Sequence, residues 1–73
     1  MPPDLRAVGI TGRELEVLRL LAQGLSNQEI AGRLYLSPRT VERHVANLTV
    51  KTGMKRRAQL VAFAARSAEL FGG

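Results

Sequence analysis

The sequence predicts an all-α fold, a bundle of four short helices, and three observations carry that expectation. No segment alternates strictly between apolar and polar residues, so no half-buried strand is expected. Apolar residues recur instead at three- and four-residue spacing through most of the chain. A hydroxyl residue set between two members of a hydrophobic pair appears at Thr11, Ser26 and Ser37, each time as a helix start. At 73 residues the chain makes one small domain. Its 45% hydrophobic and 23% charged residues are the balance of a folded domain, not of a disordered tail.

Residues 1–9 hold two prolines and a glycine without apolar periodicity and read as a linker or flexible tail, leaving a domain over 10–71. Thr11 and Glu14 form a capping box, with Ile10 and Leu15 as its hydrophobic staple. The first helix should turn Leu15, Val17, Leu18, Leu21 and Ala22 inward and stop at Gly24, a residue suited to the left-handed C′ position. Ser26 and Glu29 repeat the box, with Leu25 and Ile30 as the staple. The second helix should bury Ile30, Ala31 and Leu34, and Gly32 in its interior costs on the order of 1 kcal/mol against alanine. Only Tyr35 and Leu36 precede Ser37, which caps a third helix with Pro38 at its first position.

The third helix is expected over about 38–52, closed by Gly53. Val41, Val45, Leu48 and Thr52 share one face of it; Arg39, Arg43, Ala46, Asn47 and Val50 lie opposite, with Glu42 at the edge. A fourth helix from about Arg57 to Leu70 should bury Leu60, Val61, Ala64 and Ala68. Phe63 and Leu70 fall on another side of it and suggest a second apolar patch.

Charge narrows the function. Residues 33–57 carry seven basic side chains (Arg33, Arg39, Arg43, Lys51, Lys55, Arg56, Arg57) against the single acid Glu42, a net of +6. The remainder is nearly balanced, so the chain's excess of +5 sits in one segment. A localised positive surface attracts polyanions and releases their counterions on contact. With no cysteine and one histidine, zinc fingers, disulfides, thiol nucleophiles and His-rich metal sites are excluded, and no metal or cofactor is expected. The opening MPPDLR has no apolar h-region, and the run Leu60–Ala65 is far short of the ~20 residues that span a bilayer. A cytoplasmic module without membrane contact is the expectation.

Two short helices joined by a tight turn, the second with an arginine-bearing outer face, describe a helix-turn-helix that can enter a major groove of double-stranded DNA. Ala31 allows the two helices to approach, and arginine reads guanine edges by a bidentate contact. The stretches Leu-Ala-Gln-Gly-Leu-Ser-Asn-Gln-Glu-Ile-Ala (21–31) and Leu-Ser-Pro-Arg-Thr-Val-Glu-Arg-His-Val (36–45) carry a closer likeness. With Ile-Thr-Gly-Arg-Glu (10–14) and Lys-Thr-Gly-Met (51–54) before Arg57, they resemble the LuxR-type, GerE-like DNA-binding domain over residues 10 to about 68.

That resemblance implies a four-helix transcription regulator domain, usually dimeric on two half-sites and commonly C-terminal to a phosphoacceptor or ligand-sensing domain. By position it implies base contacts at Arg39, Glu42, Arg43 and Ala46, and phosphate contacts at Asn27, Ser37, Thr40 and Lys51; Asn47 on the same outer face is expected to join the base contacts, and the basic Arg56 and Arg57 the phosphate contacts. A weak homodimer is expected through Ala62, Phe63, Arg66 and Leu70 of the fourth helix, and RNA polymerase is a further candidate partner. Glu42 and Val50 stand where the family often carries basic residues, and Thr49 and Thr52 where apolar ones are common.

Plainer readings stand beside these. Arg57 could pair with a carboxylate or a helix end, Lys55, Arg56 and Arg57 could be solvated charge, and Phe63 and Leu70 could close the monomer's core. His44 reads as packed or hydrogen-bonded, not catalytic. The alternatives to a regulator's effector domain are a small stand-alone regulator or a protein-interaction bundle. Single-strand RNA recognition would need more stacking aromatics than Tyr35, Phe63 and Phe71. Nothing supplies an enzyme's paired acid and base.

Overall fold

The computed structural model describes residues 9–67, which form four helices and, among the described residues, no strand. We label them α1 (Gly12–Ala22), α2 (Asn27–Leu34), α3 (Pro38–Thr52) and α4 (Arg57–Ser67). Each of the first three begins where its cap demands. The Thr11 hydroxyl accepts from the Glu14 amide and the Glu14 carboxylate accepts from the Thr11 amide, both at 3.1 Å. Ser26 and Glu29 make the same reciprocal pair at 3.2 and 2.9 Å. Ser37 accepts from the Thr40 amide at 3.1 Å. Thr40 cannot reach back as a glutamate would, and the two hydroxyls bond each other instead at 2.9 Å.

The helix ends are equally local. Beyond α1 the Gly24 amide donates to Leu21 and the Leu25 amide to Leu20, around a glycine at φ 84°. This is the paired closure that a left-handed residue makes possible. Gly53 ends α3 at φ 74°. The start of α4 has no hydroxyl cap: the Gln59 side chain accepts from the Lys55 and Arg56 amides at 3.1 and 3.2 Å, satisfying donors that the helix leaves open.

The core joins Ile10, Val17, Leu18 and Leu21 to Ile30 and Ala31 of α2, Val41 and Leu48 of α3, and Leu60 and Ala64 of α4. α1 packs on α4 and α3, and α2 lies across α3. The buried Ala31 stands in α2, the helix that lies across α3. Leu15, Ala22, Leu34, Val45 and Val61, expected fully inward, are half-buried around this centre. Phe63, expected on a second apolar side, packs against the core and is half-buried. A helical wheel gives a side chain's direction but not which neighbour covers it. Ala68 and Leu70 lie outside the described residues.

Candidate nucleic-acid interface

α3 presents two unlike faces. Val41 and Leu48 are fully buried and Val45 half-buried, anchoring one side of the helix. Arg39, Glu42, Arg43, Ala46, Asn47 and Val50 are all exposed. Among the described residues no ion pair and no side-chain hydrogen bond engages Arg39, Glu42 or Arg43. The guanidinium groups keep all their donors for an outside acceptor, and Glu42 keeps both oxygens. A cytosine amino group is the base edge that suits such an acceptor, as guanine O6 and N7 suit arginine. The two threonines in this helix are accommodated by its own carbonyls. Thr49 donates to Ala46 at 2.6 Å and Thr52 to Leu48 at 2.7 Å, while Thr52 also accepts from the Met54 amide.

The expected phosphate contacts divide. Lys51 has partners within the fold: its Nζ donates to the Glu14 carboxylate at 2.6 Å and to the Gly9 carbonyl at 2.9 Å, so it ties the end of α3 to the start of α1. The Glu14 side chain is only 4% exposed, which makes the ammonium its necessary partner. Burial pushes the Glu14 carboxyl up; hydrogen bonds from Lys51 and the Thr11 backbone, with the Lys51 charge, outweigh it and hold the group below its ordinary value.

Arg57 and Asn27 meet each other. The guanidinium donates to the Asn27 carbonyl oxygen at 2.7 Å and to the Leu25 carbonyl at 3.2 Å, linking α4 to the start of α2. Arg57 is thereby tied to a helix start, and Asn27 keeps its amide donors for an outside group. Ser37 and Thr40 share a hydrogen bond at the start of α3, beside the exposed Arg39. Arg56 is exposed, and so is Lys55.

His44 is half-buried, and its Nδ1 is buried without a hydrogen-bond partner among the described residues. The packed role holds for this ring; the hydrogen-bonded one does not at Nδ1. On α4, Ala62 and Arg66 are exposed and Phe63 is not. Among the described residues no cluster of His, Asp or Glu could hold a metal ion, and no helix is long and apolar enough to cross a membrane. Three features had no counterpart in the sequence reading: the Lys51–Glu14 tie, the Gln59 cap and the backbone of Tyr35. Only Gln59 left a signal, as the third-position residue of a capping box that lacks its hydroxyl partner.

Comparison with known proteins agrees with this geometry. Residues 9–64 match the family described as bacterial regulatory proteins, luxR family. The DNA-binding transcriptional activator DevR/DosR of Mycobacterium tuberculosis is 45% identical over 56 residues, which cover 77% of this chain and 26% of that protein. The oxygen regulatory protein NreC of Staphylococcus aureus is 44% identical over 55 residues, 75% of this chain and 25% of NreC. A Mycobacterium bovis protein named among the HTH-type transcriptional regulators is 49% identical over 57 residues, 78% of this chain and 6% of its own length. The chain therefore spans about a quarter or less of the length of these relatives. A family match over most of the fold, on a helix-turn-helix whose second helix turns exposed arginines outward, means that the chain belongs to the luxR family of bacterial regulatory proteins.

Proposed function

We propose that α3 enters the major groove of a specific operator and reads it through Arg39, Glu42, Arg43, Ala46 and Asn47. Ser37, Thr40 and Arg56 hold the flanking phosphates, and Asn27 and Arg57 act there as a hydrogen-bonded pair. The observation that carries this reading is the pair of exposed arginines on α3 with no partner among the described residues, opposite an apolar stripe anchored by the buried Val41 and Leu48. A structural role leaves those side chains without a task; a groove lined with guanine acceptors gives them one.

The domain works as the effector part of a longer regulator, with residues 1–9 as connector, and it binds as a weak homodimer across the exposed side of α4 at Ala62 and Arg66. The half-buried Phe63 of the same helix contributes to that contact. RNA polymerase is a further partner, the setting is the cytoplasm, and the domain itself catalyses no reaction. The names of DevR/DosR and NreC support a regulator's role.

The test is selection of bound duplexes from a random pool, followed by anisotropy titration of the selected and a mixed duplex at two salt concentrations. A consensus bound about 10³-fold or more tighter than mixed DNA supports sequence-specific reading. Equal affinity for both duplexes would refute it.

A further inference from the structure

Tyr35 is the one described residue other than glycine with a left-handed backbone, at φ 57° and ψ 42°. The other described positions with positive φ are Gly9, Gly24 and Gly53. A Cβ in that region crowds the following carbonyl, so glycine would be the easier residue here too. The ring does nothing for the core: Tyr35 is 95% exposed, whereas Leu34 and Leu36 on either side pack against the buried cluster. The backbone that carries it is fixed, because the Tyr35 and Leu36 amides both donate to the Ala31 carbonyl. Two residues later Ser37 caps α3, and Arg39 begins the exposed face. A large side chain is therefore held outward on a rigid turn, at a strained position, next to the end of α3 where the arginine face starts. The fold supplies no reason for it, and continuity with that face does.

The geometry points to Tyr35 as a DNA-backbone contact: its phenolic hydroxyl donates to a phosphate oxygen on the strand bordering the groove that α3 enters. Tyrosine is among the side chains that make such contacts, and a contact of this kind sets depth and register without reading a base. The inference rests on the DNA reading above. It also has a signature of its own. A phenol carries no charge to exchange for counterions, so its loss weakens binding on every sequence and leaves the salt dependence unaltered. Loss of a lysine or arginine contact to phosphate lowers that slope instead.

The experiment titrates wild type, Tyr35→Phe and Tyr35→Gly on the selected and the mixed duplex over a range of salt, with a thermal melt of each protein. Tyr35→Phe is expected to weaken both duplexes about ten- to hundredfold, the size of one hydrogen bond to a charged acceptor, with an unchanged salt slope. Tyr35→Gly is expected to lose at least as much while melting no lower than wild type, which separates lost contact from lost fold. Wild-type affinity in a folded Tyr35→Phe overturns the assignment. So does a loss confined to the selected duplex, which would mean base reading. Unchanged DNA affinity with lost transcription in the presence of polymerase overturns it in favour of a protein partner. If the wild type itself binds neither duplex, the DNA reading fails as well, and the two failures are told apart by that control.

Discussion

Arg43 leaves α3 on the side away from Val41, Val45 and Leu48 and is exposed, with no side-chain hydrogen bond or ion pair among the described residues. Arg43→Ala should lower affinity for the selected operator by ~1–3 kcal/mol while the melting temperature stays within about a degree. Anisotropy and a thermal melt check the two halves. Lys51 is the opposite kind of residue, basic in the same segment but engaged inside the fold. Lys51→Met strands the buried Glu14 carboxylate and should cost about 1–3 kcal/mol in a urea titration at neutral pH. The pH dependence follows from the lowered Glu14 carboxyl. Its stabilisation is complete above the ordinary value of 4.5 and is lost as the pH falls through the lower folded value. Glu29, lowered by the Ser26 backbone N–H and side chain, acts in the same direction. Wild-type stability should therefore fall as the pH drops below about 4.5, with a shallower fall in Lys51→Met, where burial opposes ionisation of Glu14. An equal slope in both proteins would contradict the role given to this pair.

At the scale of the element, α2 is the helix least suited to stand alone: eight residues with a glycine inside. Gly32 is exposed, and a Cβ built there meets nothing within 4 Å. Gly32→Ala should thus stabilise the domain by about 1 kcal/mol and raise its melting temperature by roughly 4–8 °C. A scanning-calorimetry shift of the other sign would show that α2 uses the glycine for something unseen. The starts of α1, α2 and α3 were legible in sequence because each cap is made by residues three apart. The two faces of α3 were legible for a similar reason, since one helical period orders them. Lys51 and Arg57 were not, because their partners lie 37 and 30 residues away and only tertiary packing brings them near. A basic residue in a basic segment looks the same whether it faces phosphate or a buried glutamate. Tyr35 escaped notice because a left-handed tyrosine has no sequence signal, unlike glycine.

In the assembled bundle the exposed arginines stand on α3, and the exposed Ala62 and Arg66 on α4. A twofold pairing through α4 would set two copies of α3 on successive turns of the duplex, ~34 Å apart. Ala62→Glu, at an exposed site, should leave the fold and single half-site affinity unchanged and abolish cooperativity on paired half-sites. Persistent cooperativity, read by titration of paired against single sites, would place the contact elsewhere. The tie between Lys51 and Glu14 has a consequence in time as well. Caps formed across three residues can close early in folding, at small entropic expense, whereas a contact across 37 residues requires the chain to be nearly home. Lys51→Met should consequently hasten unfolding while leaving the refolding rate almost untouched, as a stopped-flow chevron would show. The same ammonium that looks like a reader of DNA would then act as a latch, setting how long the folded domain lasts and not how quickly it forms.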